Sequence, residues 1–290
     1  MKSISLTHIE PEIDKVEMID FYNEATEDYE FWSNDFNMHF GYFRPFKTNI
    51  LRRDSMLNEM NNQVMKRLQI DSQKHRLVDL GCGMGATMRH ALKQFKHLIA
   101  YGVTLSEFQV KQGNDLLKGK NGIIIKENYN DTSFQSNAFD SAVAIESFCH
   151  SGHNKKSLEE AFRVLKPGGR LVIADAFLKK EVPQLGPGSH YSYQKLCDHF
   201  SLEKIEQIDN YEQELKHVGF SNVQIEDISF RVAPSVFHVP FAIAGFVLKK
   251  LWTTNSLKRE SLHNLKGSFY ALLSGLHMKS FGYYIITATK

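Results

Sequence analysis

Three clusters of residues in this chain have the types and spacing to do chemistry. In "LVDLGCGMGATMRH", Leu77 to His90, an apolar run containing Asp79 meets Gly81, Gly83 and Gly85 and then a helical pattern. Glycines, lacking a Cβ, let the backbone approach a ligand closely, and Asp79 can hold an ammonium group directly or through water. In "AIESFCHSGH", Glu146 and His150 close a second apolar run. A carboxylate and an imidazole there can remove or relay a proton; the competing readings are a structural carboxylate and a structural histidine. In "FYNEATEDYEFWSNDFNMHFGYF", Phe21 to Phe43, the rings of Tyr22, Tyr29, Trp32, Phe40 and Tyr42 gather beside His39. Aromatic faces can line an apolar pocket and steady a cation, although rings at helical spacing also build cores.

The glycine spacing narrows the ligand. A dinucleotide turn spells GxGxxG, with its third glycine in the helix, and a phosphate loop needs GK[ST]. This chain has GxGxG followed by Ala86 and Thr87, with no lysine. That weakens both phosphate-binding readings.

The elements that must position these residues follow from the hydrophobic rhythm. "RLVDL", "HLIAYGVTL", "GIIIKEN", "FDSAVAIES" and "RLVIADAF" read as strands. "ATMRHALKQF", "SEFQVKQGNDLLKG" with Ser106 as N-cap, and "NKKSLEEAFRVLKPGG" read as helices. Such alternation predicts an α/β fold with a parallel, doubly wound sheet, which binds ligands at the carboxyl ends of its strands. After Phe177 the sequence predicts a loop, "VPQLGPGSHYS", and two helical segments. A helix, glycine stop and strand follow in "YEQELKHVGFSNVQIEDISF", and a further strand in "SFGYYIITATK". The expected organisation is an N-terminal helical lid (residues 1–70), a ligand-binding core (71–230 and 281–290) and a helical cap inserted between the last two strands (231–280).

Composition removes several function classes. The 290 residues hold 35 basic and 33 acidic side chains, with no basic run that would track phosphates, so no nucleic-acid partner is expected. Cys82, Cys149 and Cys197 lie far apart without a CxxC pair; no zinc site and no other metal is expected. Sparse cysteines and an N-terminus without an apolar signal region predict a cytoplasmic protein. The most apolar stretch, "VFHVPFAIAGFVLKKLW" at residues 236–252, is short for a bilayer span and carries His238, Pro240 and two lysines. It reads as a buried cap helix, or as a surface for an apolar substrate or for peripheral membrane contact.

The turn with Asp79 two residues before Gly81 resembles motif I of the class I S-adenosylmethionine (SAM) methyltransferases. "KPGGRLVIAD" resembles the stretch entering that family's fifth strand, "SNAFDSAVAIES" its fourth, and "YYIITATK" its closing hairpin. The resemblance implies a Rossmann-like fold, a seven-stranded mostly parallel sheet with helical N-terminal and C-terminal lid elements. It implies SAM as cofactor, touched by Asp79, Gly81, Cys82, Gly83, Gly85 and Ile145. Many such sites carry an acid at the end of the second strand; here "YGVTLSEFQV" has Thr104. "GVTLSxxQ" resembles the cyclopropane-fatty-acid and mycolic-acid synthases, the tocopherol methyltransferases and the terpenoid C-methyltransferases. That resemblance implies Thr104, Leu105 and Gln109 beside the ribose, where an amide can both donate and accept. Asn128 and Tyr129 match the adenine contacts, with Asn128 in place of the common Asp.

The aromatic stretch resembles the N-terminal signature of sterol and isoprenoid C-methyltransferases, which implies an acceptor pocket from Tyr22, Tyr29, Trp32, His39, Phe40 and Tyr42. Sterol and terpenoid C-methyltransferases also carry a glutamate at the Glu146 match. Cys149 stands nearest to the bicarbonate-binding glutamate of cyclopropane synthases, so methyl transfer is expected rather than ring formation. The expected function is C-methylation of an apolar small molecule, an isoprenoid, terpenoid or lipid, through a carbocation, with Glu146 and His150 as catalytic groups. The alternatives are O- or N-methylation of a small-molecule natural product, a SAM-binding protein without turnover, and an NAD-dependent oxidoreductase.

Overall fold

The structure, a computed structural model, describes residues 33–70, 74–200, 202–253 and 259–290. An irregular segment, residues 33–52, leads into α1 (Arg53–Leu68). Then come β1 (His75–Leu80), α2 (Ala86–Gln94), β2 (Leu98–Thr104), α3 (Glu107–Leu116), β3 (Gly122–Lys126), β4 (Phe139–Ile145), α4 (Lys155–Val164) and β5 (Leu165–Leu178). The remaining elements are α5 (Pro187–Phe200), α6 (Ile208–Val218), β6 (Ser221–Asp227), α7 (Ser229–Val236), α8 (Val239–Thr253), α9 (Arg259–Leu276) and β7 (Phe281–Thr289). The seven strands form one sheet in the order β3-β2-β1-β4-β5-β7-β6. β1 to β5 run parallel, and β7 lies antiparallel between β5 and β6. This is the Rossmann-like, mostly parallel sheet that the resemblance implies.

The central strands carry apolar residues on both faces because both faces are covered. Val78, Leu80, Ala142, Ala144, Phe177 and Tyr284 turn to one face, where α4 and α6 add Leu158, Ala161, Tyr211 and Leu215. Leu77, Val143, Ile145, Ala174 and Tyr283 turn to the other, against Met60, Val64 and Leu68 of α1 and Val232 of α7. The alternation is the strand period of two. Ser106 caps α3 by accepting the Gln109 N–H at 3.2 Å, as its type and position predict.

Three expectations change. The helical pattern "DKVEMIDFYNEATEDYEFW" lies outside the described residues, and residues 33–52 are irregular, so the described helix before the sheet is α1 alone. The predicted loop "VPQLGPGSHYS" ends early because Pro187 opens α5; a proline there has the right φ and lacks an N–H that would go unbonded anyway. The helix read as closing at Pro-Gly-Gly already ends at Val164, and residues 165–169 form the irregular entry to β5. Between β6 and β7, α7, α8 and α9 stand outside the sheet, and α9 packs on α5. Helices α5, α7 and α9 thus surround the carboxyl ends of the parallel strands.

Candidate active site

The glycine turn follows β1. Gly81, Gly83 and Gly85 all have positive φ, +92°, +52° and +74°, a region that costs a residue with a Cβ about 1–2 kcal/mol. The three do different things. A Cβ on Gly81 would lie 2.4 Å from Cβ of Ser147, so this glycine lets the end of β4 close on the turn. Ser147 fixes that closure by donating its hydroxyl to the Leu80 carbonyl at 2.6 Å. A Cβ on Gly83 would meet only the thioether of Met38, at the wall of a cavity. Gly85 is not part of that wall: it caps α2, and a Cβ there would strike Ile124. Its expected cofactor contact gives way to a packing role.

The cavity holds about 290 Å³, and its walls include Asp79, Gly81, Cys82, Gly83, Thr104, Leu105, Gln109, Tyr129 and Ile145. Asp79 is 3% exposed, and no side-chain donor among the described residues reaches it. Burial pushes its pKa up to about 7. A buried carboxylate in that state is a site for a cation. At the end of β2 the Thr104 hydroxyl donates to Oε1 of Gln109 at 2.6 Å. Gln109, 2% exposed, is a wall residue rather than a solvent-facing helix position. Tyr129 donates its hydroxyl to the Ser147 carbonyl at 2.9 Å, which fixes the ring against Phe148. Asn128 is not in the wall. Its Oδ1 accepts the N–H of Asn130 at 3.0 Å, a side-chain turn that keeps it in the loop backbone.

Glu146 stands where the polar wall meets an apolar chamber. Its backbone is left-handed, φ +46°, which turns the side chain off the end of β4. Oε1 accepts two hydrogen bonds of 2.7 Å, one from the Phe40 N–H and one from the Tyr283 hydroxyl. Burial dominates and pushes its pKa up to about 8, while those two donors pull the other way. Glu146 lines the cavity.

The segment that supplies the Phe40 N–H is pinned along its length. The N–H groups of Gly41, Tyr42 and Phe43 bond Oγ of Ser235 at 2.8 Å and the carbonyls of Met56 at 2.8 Å and Arg231 at 2.7 Å. A Cβ on Gly41 would lie 2.5 Å from that of Met56, so only glycine fits. Behind it, Asn61 of α1 donates to Asn37 at 2.8 Å and accepts from Thr87 of α2 at 3.0 Å. His39 and Phe40 line the cavity, and burial lowers the His39 pKa to about 4. Tyr42 does not line it; its ring packs in the core with Met60 and Val64. Tyr22, Tyr29 and Trp32 lie outside the described residues.

Beyond Glu146 the walls turn apolar, with Leu196 and Phe200 from α5, Val232 and Val236 from α7, Leu272 from α9 and Phe281 from β7. His150 faces this chamber from the short turn Phe148–Ser151, and burial lowers its pKa to about 4. Such a histidine is neutral at pH 7 and a weak base. The Cys149 thiol, pushed well up by burial, carries no charge there. Asp175 accepts the N–H groups of Cys149 at 3.0 Å and Ala176 at 2.9 Å and faces buried His153 at 3.4 Å.

Sequence reasoning missed Tyr283, Asp175 and Met38. The signal for Tyr283 was the pair "YY": on a strand, neighbours face opposite ways, so one of the two had to face the ligand side of the sheet. Among the described residues no cluster of three or more histidine, cysteine, aspartate or glutamate side chains could hold a metal ion.

A methyltransferase domain matches residues 78–173. Methyltransferase GfsG of Streptomyces halstedii is 25% identical over 224 residues, 76% of this chain and 78% of its own. Tocopherol O-methyltransferase of Arabidopsis thaliana is 26% identical over 270 residues, 86% and 74% of the two chains. Sterol methyltransferase-like 2 of Botryococcus braunii is 33% identical over 180 residues, 60% of this chain but only 44% of its own. Among solved structures, the cyclopropane synthase MmaA2 of Mycobacterium tuberculosis superimposes with a TM-score of 0.78 at 16% identity, covering 98% of this chain and 100% of that one. Geranyl diphosphate methyltransferase, with geranyl diphosphate and sinefungin, gives 0.73 at 18% identity, covering 95% and 98%. At such identities the structural likeness is one of fold. The matched domain and the methyltransferase relatives identify the chain as a SAM-dependent methyltransferase, and its sheet is that of the solved class I structures.

Proposed function

We propose that this enzyme methylates a carbon atom of an apolar isoprenoid or lipid through a carbocation. The observation that carries the reading is Glu146, a buried carboxylate at the border between a polar wall and an apolar chamber. SAM, when bound, supplies an electrophilic methyl group on a sulfonium. Asp79 takes the ammonium, with Gly81, Cys82 and Gly83 beside the amino-acid end. Thr104, Leu105 and Gln109 line the ribose, and Tyr129 and Ile145 the adenine side. The apolar side chains of α5, α7 and α9 hold the acceptor as a cap, with Phe40 and His39 closing the chamber from the N-terminal segment. Holding both partners in line is the main catalytic contribution.

Glu146 handles the charge. A positive neighbour lowers a carboxyl pKa, so in the loaded site Glu146 is anionic although it is mostly protonated in the empty one. Tyr283 and the Phe40 N–H occupy Oε1, which leaves Oε2 to face the cation and take its proton. Preoriented charge in a dry site stabilises such a cation without reorganisation. His150, neutral with a pKa of about 4, positions rather than accepts.

The test is turnover of an isoprenoid and lipid panel with SAM, and the product's new methyl assigned by NMR. A carbon-bound methyl is expected, with Glu146→Gln losing about 10²–10⁴-fold in kcat and keeping SAM affinity within about threefold. No product from any apolar acceptor would sink the reading. The likeness to a tocopherol O-methyltransferase favours a second reading, in which Glu146 takes the proton of an acceptor hydroxyl; an oxygen-bound methyl selects it.

A further inference from the structure

Large apolar side chains stand exposed on the cap. On α8, Phe241, Leu248 and Trp252 are 77%, 62% and 92% exposed. Their spacing of seven and four residues puts them on one helix face. Phe230 in α7 and Phe237 just after it, 81% and 57% exposed, repeat the spacing of seven. The loop at residues 44–52 adds Phe46 and Leu51. It is tied to this region because His238, between α7 and α8, donates Nε2–H to the Ile50 carbonyl at 2.7 Å. Apolar exposure of this extent marks an interaction surface.

The mouth of the cavity lies on that surface. Phe237 and Leu276 both line the cavity and are both more than half exposed. A molecule leaving the apolar chamber between α7 and α9 would pass these two side chains.

Charge identifies the partner. Residues 44–53 and 229–280 contain eleven lysines and arginines and one acidic residue, Glu260, in a chain with 35 basic and 33 acidic residues. The rest of the chain is therefore net acidic. Arg44, Lys47, Arg52, Arg231, Lys266 and Lys279 are exposed. Aromatic and aliphatic side chains on an exposed helix face among basic residues are the features of an interfacial membrane element. No described helix is long and apolar enough to cross a bilayer, so contact would be with one leaflet.

We propose that the α7–α8 face and the loop at 44–52 dock on an anionic lipid surface, with the cavity mouth turned to the leaflet. Phe230, Phe241 and Trp252 enter the headgroup region while the basic residues meet lipid phosphates. An apolar acceptor then reaches the chamber without crossing water. That delivery rests on the apolar-acceptor reading, whereas the docking itself does not.

The test is flotation of the full chain with vesicles of 30% phosphatidylglycerol in phosphatidylcholine, without acceptor or turnover, so its outcome is separate from the methylation assay. We expect the protein to float with these vesicles and to bind pure phosphatidylcholine at least about tenfold more weakly, with 0.5 M salt having the same effect. The triple variant Phe230→Ser, Phe241→Ser, Trp252→Ser should bind about tenfold less while keeping SAM affinity, which reports its fold. The proposal is overturned if the parent stays at the bottom of the gradient or if the variant floats equally well. It is also overturned if sedimentation shows a vesicle-free dimer that the variant dissociates, since a second copy would then be the occupant.

Discussion

Asp79 and Glu146 are two buried acids with different tasks, and pH separates them. Asp79, raised to about 7 by burial, must be ionised to hold an ammonium. Below pH 7, binding must expel a proton, so SAM affinity should fall about tenfold per unit and level off above pH 7. Calorimetry between pH 5.5 and 8.5 measures this; a flat profile in the parent removes Asp79 from the cofactor site. Asp79→Asn should bind weakly with no such slope. Tyr283 acts on Glu146 through its hydroxyl, which lowers the Glu146 pKa. In Tyr283→Phe that pull is lost, so the rising limb of kcat against pH should move to higher pH while SAM affinity holds. A loss of kcat without a shifted limb would make Tyr283 merely structural.

At the scale of elements, the irregular segment before α1 matters as much as any strand. It carries the Phe40 N–H to Glu146 and is locked at Gly41 against Met56. Gly41→Ala would place its Cβ 2.8 Å from the Leu57 nitrogen as well, and backbone cannot swing aside. Stability should fall by about 1–3 kcal/mol, and turnover with it, as thermal melts and rates can record. Gly83→Val differs: its φ of +52° suits no β-branched residue, yet its Cβ would meet only a flexible methionine. The fold should survive by circular dichroism while SAM binding is lost; retained affinity would overturn the glycine-turn assignment. The strands and helices from β1 to β5 were legible because β-branched runs, Ser106 and the glycines are local signals. The site was less so. Tyr42 and Phe40 look alike in sequence, but one packs into the core and the other lines the cavity, depending on how residues 33–43 cross α1 and α7. Tyr283 reaches Glu146 only because β7 pairs with β5, with Tyr283 opposite Ala176, a contact that local pattern does not encode.

For the whole molecule, the two acids oppose folding at the pH where the enzyme would work. Their native pKa values, about 7 and about 8, exceed the unfolded values near 4. The native state therefore binds more protons than the unfolded state between those limits. Their contribution is fully present below about pH 4 and is lost as pH rises through 7 and 8. Each costs on the order of a few kcal/mol at pH 8. Asp79→Asn should accordingly melt higher than the parent at pH 8, with the gap closing towards pH 5. Equal melting temperatures at both pH values would refute this account. The cap adds a separate asymmetry, basic and apolar on one side, that the sheet itself does not need.

The left-handed backbone of Glu146 has a consequence for how such an enzyme drifts. Glycine would relax that position but leave the Phe40 N–H and the Tyr283 hydroxyl without their acceptor, so neither stability nor activity offers a route away from glutamate through glycine.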